Sequence, residues 1–134
     1  MIYLDSSAIM KLVRPEAETT ALIEWLEHQT EEGFLTSELG RVEVLRAARR
    51  VGDESVVVQA HAVLAELDLI TLDRVVQDLA CDLAESGLRT SDALHLASAL
   101  LLREHLDTFV AYDQPLALAA RDSRLNVVAP GLTS

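Results

Sequence analysis

The chain has 134 residues, half of them hydrophobic, and a formal net charge of -11, with Lys11 as its only lysine. That length suits one domain with a single substantial core, and that apolar content excludes a disordered chain. The acidity excludes a protein that follows phosphate backbones by overall charge, so any contact with nucleic acid is local or runs through metal ions that invert the sign of an acidic site.

Ile2-Tyr3-Leu4 predicts a first strand ending at Asp5, and Ser6-Ser7 predict the start of a helix that runs from about Ser7 to Val13. The break falls at Arg14-Pro15. Pro15 is expected to open a second helix, with Glu16 and Glu18 at its positive end and Leu22, Trp25 and Leu26 on one face. Trp25 reads as a core anchor. Beyond Gly33, Phe34-Leu35 predicts a second strand and Thr36-Ser37 a helix cap. Glu38 to Arg50 then forms a helix carrying Leu39, Val42, Leu45 and Ala48. Gly52-Asp53 separates it from a helix of roughly Glu54 to Glu66.

Leu67 to Leu72 predicts a third strand, and Asp73 caps a helix that runs to Ser86-Gly87. Thr90-Ser91-Asp92 opens the most apolar helix of the chain, in which only His95 and Ser98 are polar between Ala93 and Leu102. A helix apolar all round is a buried one. Phe109 to Tyr112 predicts a fourth strand, Asp113 caps a helix beginning near Pro115, and Asn126 to Ala129 makes a last strand. Strands alternating with helices through short turns indicate an α/β fold. The expectation is a three-layer α/β/α sandwich on a parallel sheet of four to five strands, one domain over residues 1–134.

Right-handed crossovers bring the carboxyl ends of all strands to one edge, where ligands bind in such sheets. Asp5 ends the first strand, Glu43 lies two turns into the helix after the second, Asp92 opens the buried helix and Asp113 ends the fourth strand. Each has an ordinary explanation alone. Asp113 is a good helix cap, Asp92 suits a helix dipole, and Glu43 forms an i, i+3, i+7 stripe with Arg46 and Arg50 that normally marks a solvated face. Asp5 is hardest to dismiss, because a carboxylate ending a buried strand needs a partner. Together the four repel one another unless a cation joins them. Oxygen ligands select Mg2+ or Mn2+ over zinc, and such a site suits phosphodiester hydrolysis.

The strand-Asp5-Ser6-Ser7 start, Ser37-x-x-x-x-Val42-Glu43-x-x-Arg46-Ala47, Thr90-x-Asp92-Ala93-Leu94-His95-x-Ala97 and Val110-x-x-Asp113 follow one another in an order that resembles the PIN-domain ribonucleases. More narrowly, the chain is similar to the VapC-type toxins of bacterial toxin–antitoxin pairs. The resemblance implies a Mg2+- or Mn2+-dependent endoribonuclease with Asp5, Glu43, Asp92 and Asp113 as its acidic site and Ser7 as a supporting hydroxyl. It also implies an RNA substrate, a cognate antitoxin whose basic or aromatic segment enters the active-site groove, and a homodimer. The chain departs from the family pattern in having Ala111 where members often carry Thr, and Leu116-Ala117 where a further acid often follows Asp113. Arg41, Arg46, Arg49 and Arg50 form the only basic cluster near the site, read as a salt-bridged helix face or as a guide for an RNA backbone.

Other readings are weaker. His95, three residues after Asp92, is expected to be a hydrogen-bonded packing histidine and not a ligand. His28, His61 and His105 are expected to face water. No Gly-x-Ser-x-Gly elbow, Gly-x-Gly-x-x-Gly or Walker loop occurs. A phosphoacceptor receiver needs a lysine after a late strand, which this chain lacks. A catalytically silent PIN-like domain that only binds a partner is the alternative, against which the intact acids argue. No apolar run is as long as a membrane span and no signal peptide opens the chain, so a cytoplasmic location is expected. The lone Cys81 excludes an internal disulfide, fits that compartment and reads as buried filler.

Overall fold

The computed structural model describes residues 1–29, 33–83 and 87–132. Its elements in chain order are β1 (Ile2–Leu4), α1 (Ser6–Val13), α2 (Thr19–Glu27), β2 (Phe34–Ser37), α3 (Glu38–Val51) and α4 (Glu54–Ala65). β3 (Asp68–Ile70), α5 (Arg74–Asp82), α6 (Thr90–Leu101), β4 (Thr108–Val110), α7 (Gln114–Asp122) and β5 (Val127–Val128) complete the series. The strands form one sheet in the order β3-β2-β1-β4-β5, and every pairing is parallel.

β1 occupies the centre, with Tyr3 in register with Leu35 on one side and Phe109 on the other. The two-residue period of a strand divides its side chains between two cores. Ile2, Leu4 and Val110 pack with Ile9, Leu22, Val44, Ala48 and Leu64, supplied by α1 to α4. Tyr3, Leu35, Phe109 and Ala111 pack on the opposite face with Leu96, Leu116 and Ala120 from α6 and α7. Covered on both faces, β1 has to be apolar throughout, and it is. The architecture is the expected three-layer sandwich, with five strands.

Several boundaries differ from the sequence reading. The second helix begins at Thr19, not near Pro15: Glu18 is its N-cap, and Glu16 and Glu18 in the turn before it pair with Lys11 Nζ at 2.6 and 2.9 Å. The Thr19 hydroxyl closes the turn by donating to the Lys11 carbonyl at 2.7 Å. β2 extends through Thr36 and Ser37, although Ser37 still caps α3 by accepting the Gly40 N–H. β3, β4 and β5 are shorter than expected, and β4 starts one residue earlier, at Thr108. The predicted end of α5 at Ser86 lies outside the described residues.

The buried face of α3 is Gly40, Val44 and Ala48, so Val42 points outward at 49% exposure. Trp25 is half-buried against the first core. Cys81 is exposed, contrary to expectation, because α5 is an outer helix in which Val76 alone is fully buried. Among the described residues no helix is long and apolar enough to cross a membrane.

Candidate active site

A cleft of about 430 Å³ opens beyond the carboxyl ends of β1 and β4, and Asp5, Glu43, Asp92 and Asp113 all line it. Ser6, Ser7, Arg46, Arg50, Arg89 and His95 share its wall. Four acids separated by up to 108 positions in sequence (113 minus 5) therefore meet at one edge.

Asp5 follows β1 directly and is the N-cap of α1, accepting the Ala8 N–H at 2.9 Å. The same oxygen accepts the Ser7 hydroxyl at 2.7 Å, and Ser7 Oγ in turn accepts the Tyr112 N–H at 3.0 Å, tying the first turn to the end of β4. Asp5 is 2% exposed. Burial pushes its carboxyl up to about 6, against the opposing pull of the Ser7 and Ala8 hydrogen bonds.

Asp92, in the first turn of α6, is also buried. Burial and then the charge of Asp113 raise its carboxyl above the ordinary range, with Arg89 working the other way. Asp113 has two duties. One oxygen caps α7 by accepting the Leu116 N–H at 3.1 Å, while the other lies 3.7 Å from the Arg89 guanidinium. Glu43 reaches the cleft from the second turn of α3, with Oε1 2.6 Å from His95 Nε2. Burial opposes its ionisation, but the hydrogen bond with His95, helped by Ser6 and Arg89, outweighs it and holds the carboxyl below its usual range.

Arg89 escaped the sequence reading. It precedes α6, 74% exposed, with Nε 3.4 Å from Asp92, and so bridges two of the acids. The i, i+3 spacing to Asp92 was the available signal. The Glu43-Arg46-Arg50 stripe lines the cleft, with Glu43 half-buried and Arg46 and Arg50 still exposed to solvent. Among the described residues Arg41, Arg46, Arg49 and Arg50 make no salt bridge, so the salt-bridged face does not hold; Arg41 and Arg49 lie outside the cleft. His95 is 2% exposed and hydrogen-bonded through both ring nitrogens, as a packing histidine should be. His28, His61 and His105 are exposed.

With the nitrogens of His95 engaged, the donors left in the cleft are carboxylates and hydroxyls. Among the described residues, no three His, Cys, Asp or Glu side chains form a ready-made metal cage. A small hard cation in general takes one or two carboxylates and completes its shell with water and substrate phosphate. The mutual repulsion of Asp113 with Asp5 and Asp92 is a negative charge excess such a cation relieves.

Fold and cleft together define a class, the α/β proteins that gather carboxylates beyond the strand ends of a parallel sheet. Residues 2–129 match the family model of the PIN domain, and the chain belongs to that family. It is 42% identical to ribonuclease VapC35 of Mycobacterium tuberculosis over 98% of both chains. It is 43% identical to ribonuclease VapC46 of the same organism over 96% of this chain and 97% of that one. In fold it is similar to a toxin–antitoxin complex from Klebsiella pneumoniae, with a TM-score of 0.75 at 18% identity over 97% of this chain and 98% of the other.

Proposed function

We propose that the chain is a metal-dependent endoribonuclease of the VapC kind, the toxin of a toxin–antitoxin pair, using Asp5, Glu43, Asp92 and Asp113 to hold Mg2+ or Mn2+. The observation that carries this reading is the single cleft lined by all four acids. The oxygen-only donor set supports a hard cation over zinc. When bound, such an ion polarises a phosphoryl oxygen and lowers the pKa of a coordinated water.

The chain's own residues do the positioning. Ser7 and the Ala8 N–H restrain Asp5, the first turn of α6 restrains Asp92, and His95 restrains Glu43. Asp113 contributes the oxygen nearer Arg89 while its other oxygen caps α7. Arg46, Arg50 and Arg89 supply, locally, the positive charge that an acidic molecule otherwise lacks for a phosphate backbone.

RNA as substrate follows from kinship with ribonucleases VapC35 and VapC46, and an antitoxin partner from likeness to the Klebsiella complex. A cytoplasmic homodimer completes the proposal. Purified protein should cut RNA internally with Mn2+ or Mg2+, stop on chelation, and lose cleavage in Asp92→Asn while keeping its fold by circular dichroism. Chelator-resistant cleavage, or full activity of the variant, would overturn it.

A further inference from the structure

Behind the acids runs a chain of hydrogen bonds that joins three elements of the fold. Tyr3 of β1 places its hydroxyl 2.7 Å from His95 Nδ1, and His95 Nε2 lies 2.6 Å from Glu43 Oε1. Tyr3 and His95 are buried, whereas Glu43 opens into the cleft. The direction of these bonds follows from counting protons. A carboxylate only accepts, so the proton between His95 and Glu43 belongs to Nε2. In the tautomer with that single proton, Nδ1 is an acceptor and has to receive from Tyr3. Tyr3 can oblige, because a tyrosine phenol keeps its proton at neutral pH and its hydroxyl lies within hydrogen-bond distance of Nδ1.

The packing around this chain leaves little slack. Tyr3 stacks on Phe109 with ring centroids 5.1 Å apart and planes 6° from parallel, and meets the His95 ring edge-on. Gly40, one turn before Glu43, lets α3 settle against the network. A Cβ there would come 2.3 Å from Thr36 Oγ1 and 3.4 Å from His95 Cε1. Glu43 has three side-chain torsions and would otherwise sweep the cleft mouth.

We infer that His95 is a positioning residue, locked by Tyr3 in the Nε2–H tautomer, which pins one oxygen of Glu43 and so fixes the carboxylate at the cleft, where it would hold a cation. The inference rests on the metal-nuclease reading for its purpose, but not for its geometry. It couples the acids mechanically. The helix that carries Asp92 also carries the group restraining Glu43, and the strand that ends in Asp5 carries the group restraining His95.

The test has two arms on the full-length protein. In metal-free protein with 15N-labelled histidine, NMR should report His95 protonated at Nε2 and bare at Nδ1, and Tyr3→Phe, which retains the ring stack, should mix the tautomers. A proton resident on Nδ1, or an unchanged spectrum in Tyr3→Phe, overturns the lock. In calorimetric titrations with Mn2+, His95→Leu should bind about ten- to a hundredfold more weakly, the range seen when a residue supporting a metal ligand is lost. His95→Gln, whose amide can still donate to Glu43, should recover most of that loss. Should His95→Leu not fold, His95→Gln and Tyr3→Phe decide the matter, with Tyr3→Phe several-fold weaker. Mn2+ affinity unchanged in the folded variants overturns the positioning role. Wild-type protein that ignores Mn2+ sinks the nuclease reading instead, and the NMR arm still judges the hydrogen-bond chain.

Discussion

Asp5 and Asp73 hold matching local posts. Each follows a strand of the same parallel sheet, each is the N-cap of the helix behind it, and each accepts a backbone N–H three residues on, from Ala8 at 2.9 Å and from Val76 at 3.1 Å. Yet Asp5 is buried and lines the cleft, while Asp73 is exposed and does not. Strand order makes the difference. β1 is central and buried throughout, whereas β3 is an edge strand exposed at Asp68 and Leu69. An acid ending a central strand is walled by helices and loses its water; an acid ending an edge strand keeps it. Asp113, after the neighbouring β4, stands between the two, capping with one oxygen and facing Arg89 with the other. A carboxylate after a strand is therefore weak evidence until its place in the sheet is known.

The comparison can be broken most directly by exchanging the charges. Asp5→Asn is expected to reduce Mn2+-dependent RNA cleavage by roughly a hundredfold or more, because the ligand charge is lost from the cleft. Asp73→Asn should cut at the wild-type rate in the same gel assay. Equal effects would erase the distinction between central and edge acids.

A second prediction concerns stability without metal. Burial raises the Asp5 carboxyl from its ordinary 3.8 up to about 6 in the folded state. Between those values the folded state binds the proton more tightly, so this group favours folding most below about pH 4 and least above pH 6. Asn keeps the acceptor that Ser7 and Ala8 use and carries no charge. In EDTA at pH 7, Asp5→Asn should be more stable than wild type by on the order of 3 kcal/mol, with the gap closing near pH 4. Denaturant unfolding at the two pH values measures it, and a variant less stable at pH 7 would show that Asp5 is not desolvated.

Asp73→Ala sharpens the other side. It should lower stability by about 1 kcal/mol through loss of the cap and leave cleavage untouched. The smallest effect is expected at Arg89. Replacing it by Gln removes a cation 3.4 Å from Asp92 and 3.7 Å from Asp113, so Mn2+ should bind a few-fold more tightly at low salt. Because Arg89 is largely exposed, the gain should vanish at high ionic strength; a salt-independent result would remove Arg89 from the electrostatics of the cleft.

Much of the fold was readable from local signals. Ile2-Tyr3-Leu4, the Ser37 cap and the apolar run after Asp92 stand where their chemistry predicts, since they obey propensity, capping and periodicity over short distances. The failures are long-range in origin. Glu16 and Glu18 look like the start of a helix but pair with Lys11 in the turn before it, and Cys81 looks like core until α5 proves to be an outer helix. Arg89 was only half legible: its i, i+3 spacing to Asp92 is local, but its second partner, Asp113, lies 24 positions away (113 minus 89).

By itself the sequence determined the alternation of strands and helices, the acids at or near the strand ends and the buried character of α6, because each depends on neighbours within a few turns. Only the tertiary structure decided which acids share a cleft, which carboxyls are desolvated and which side chain restrains Glu43. Those outcomes depend on strand order and on contacts such as Tyr3 to His95, 92 residues apart, which no local pattern encodes.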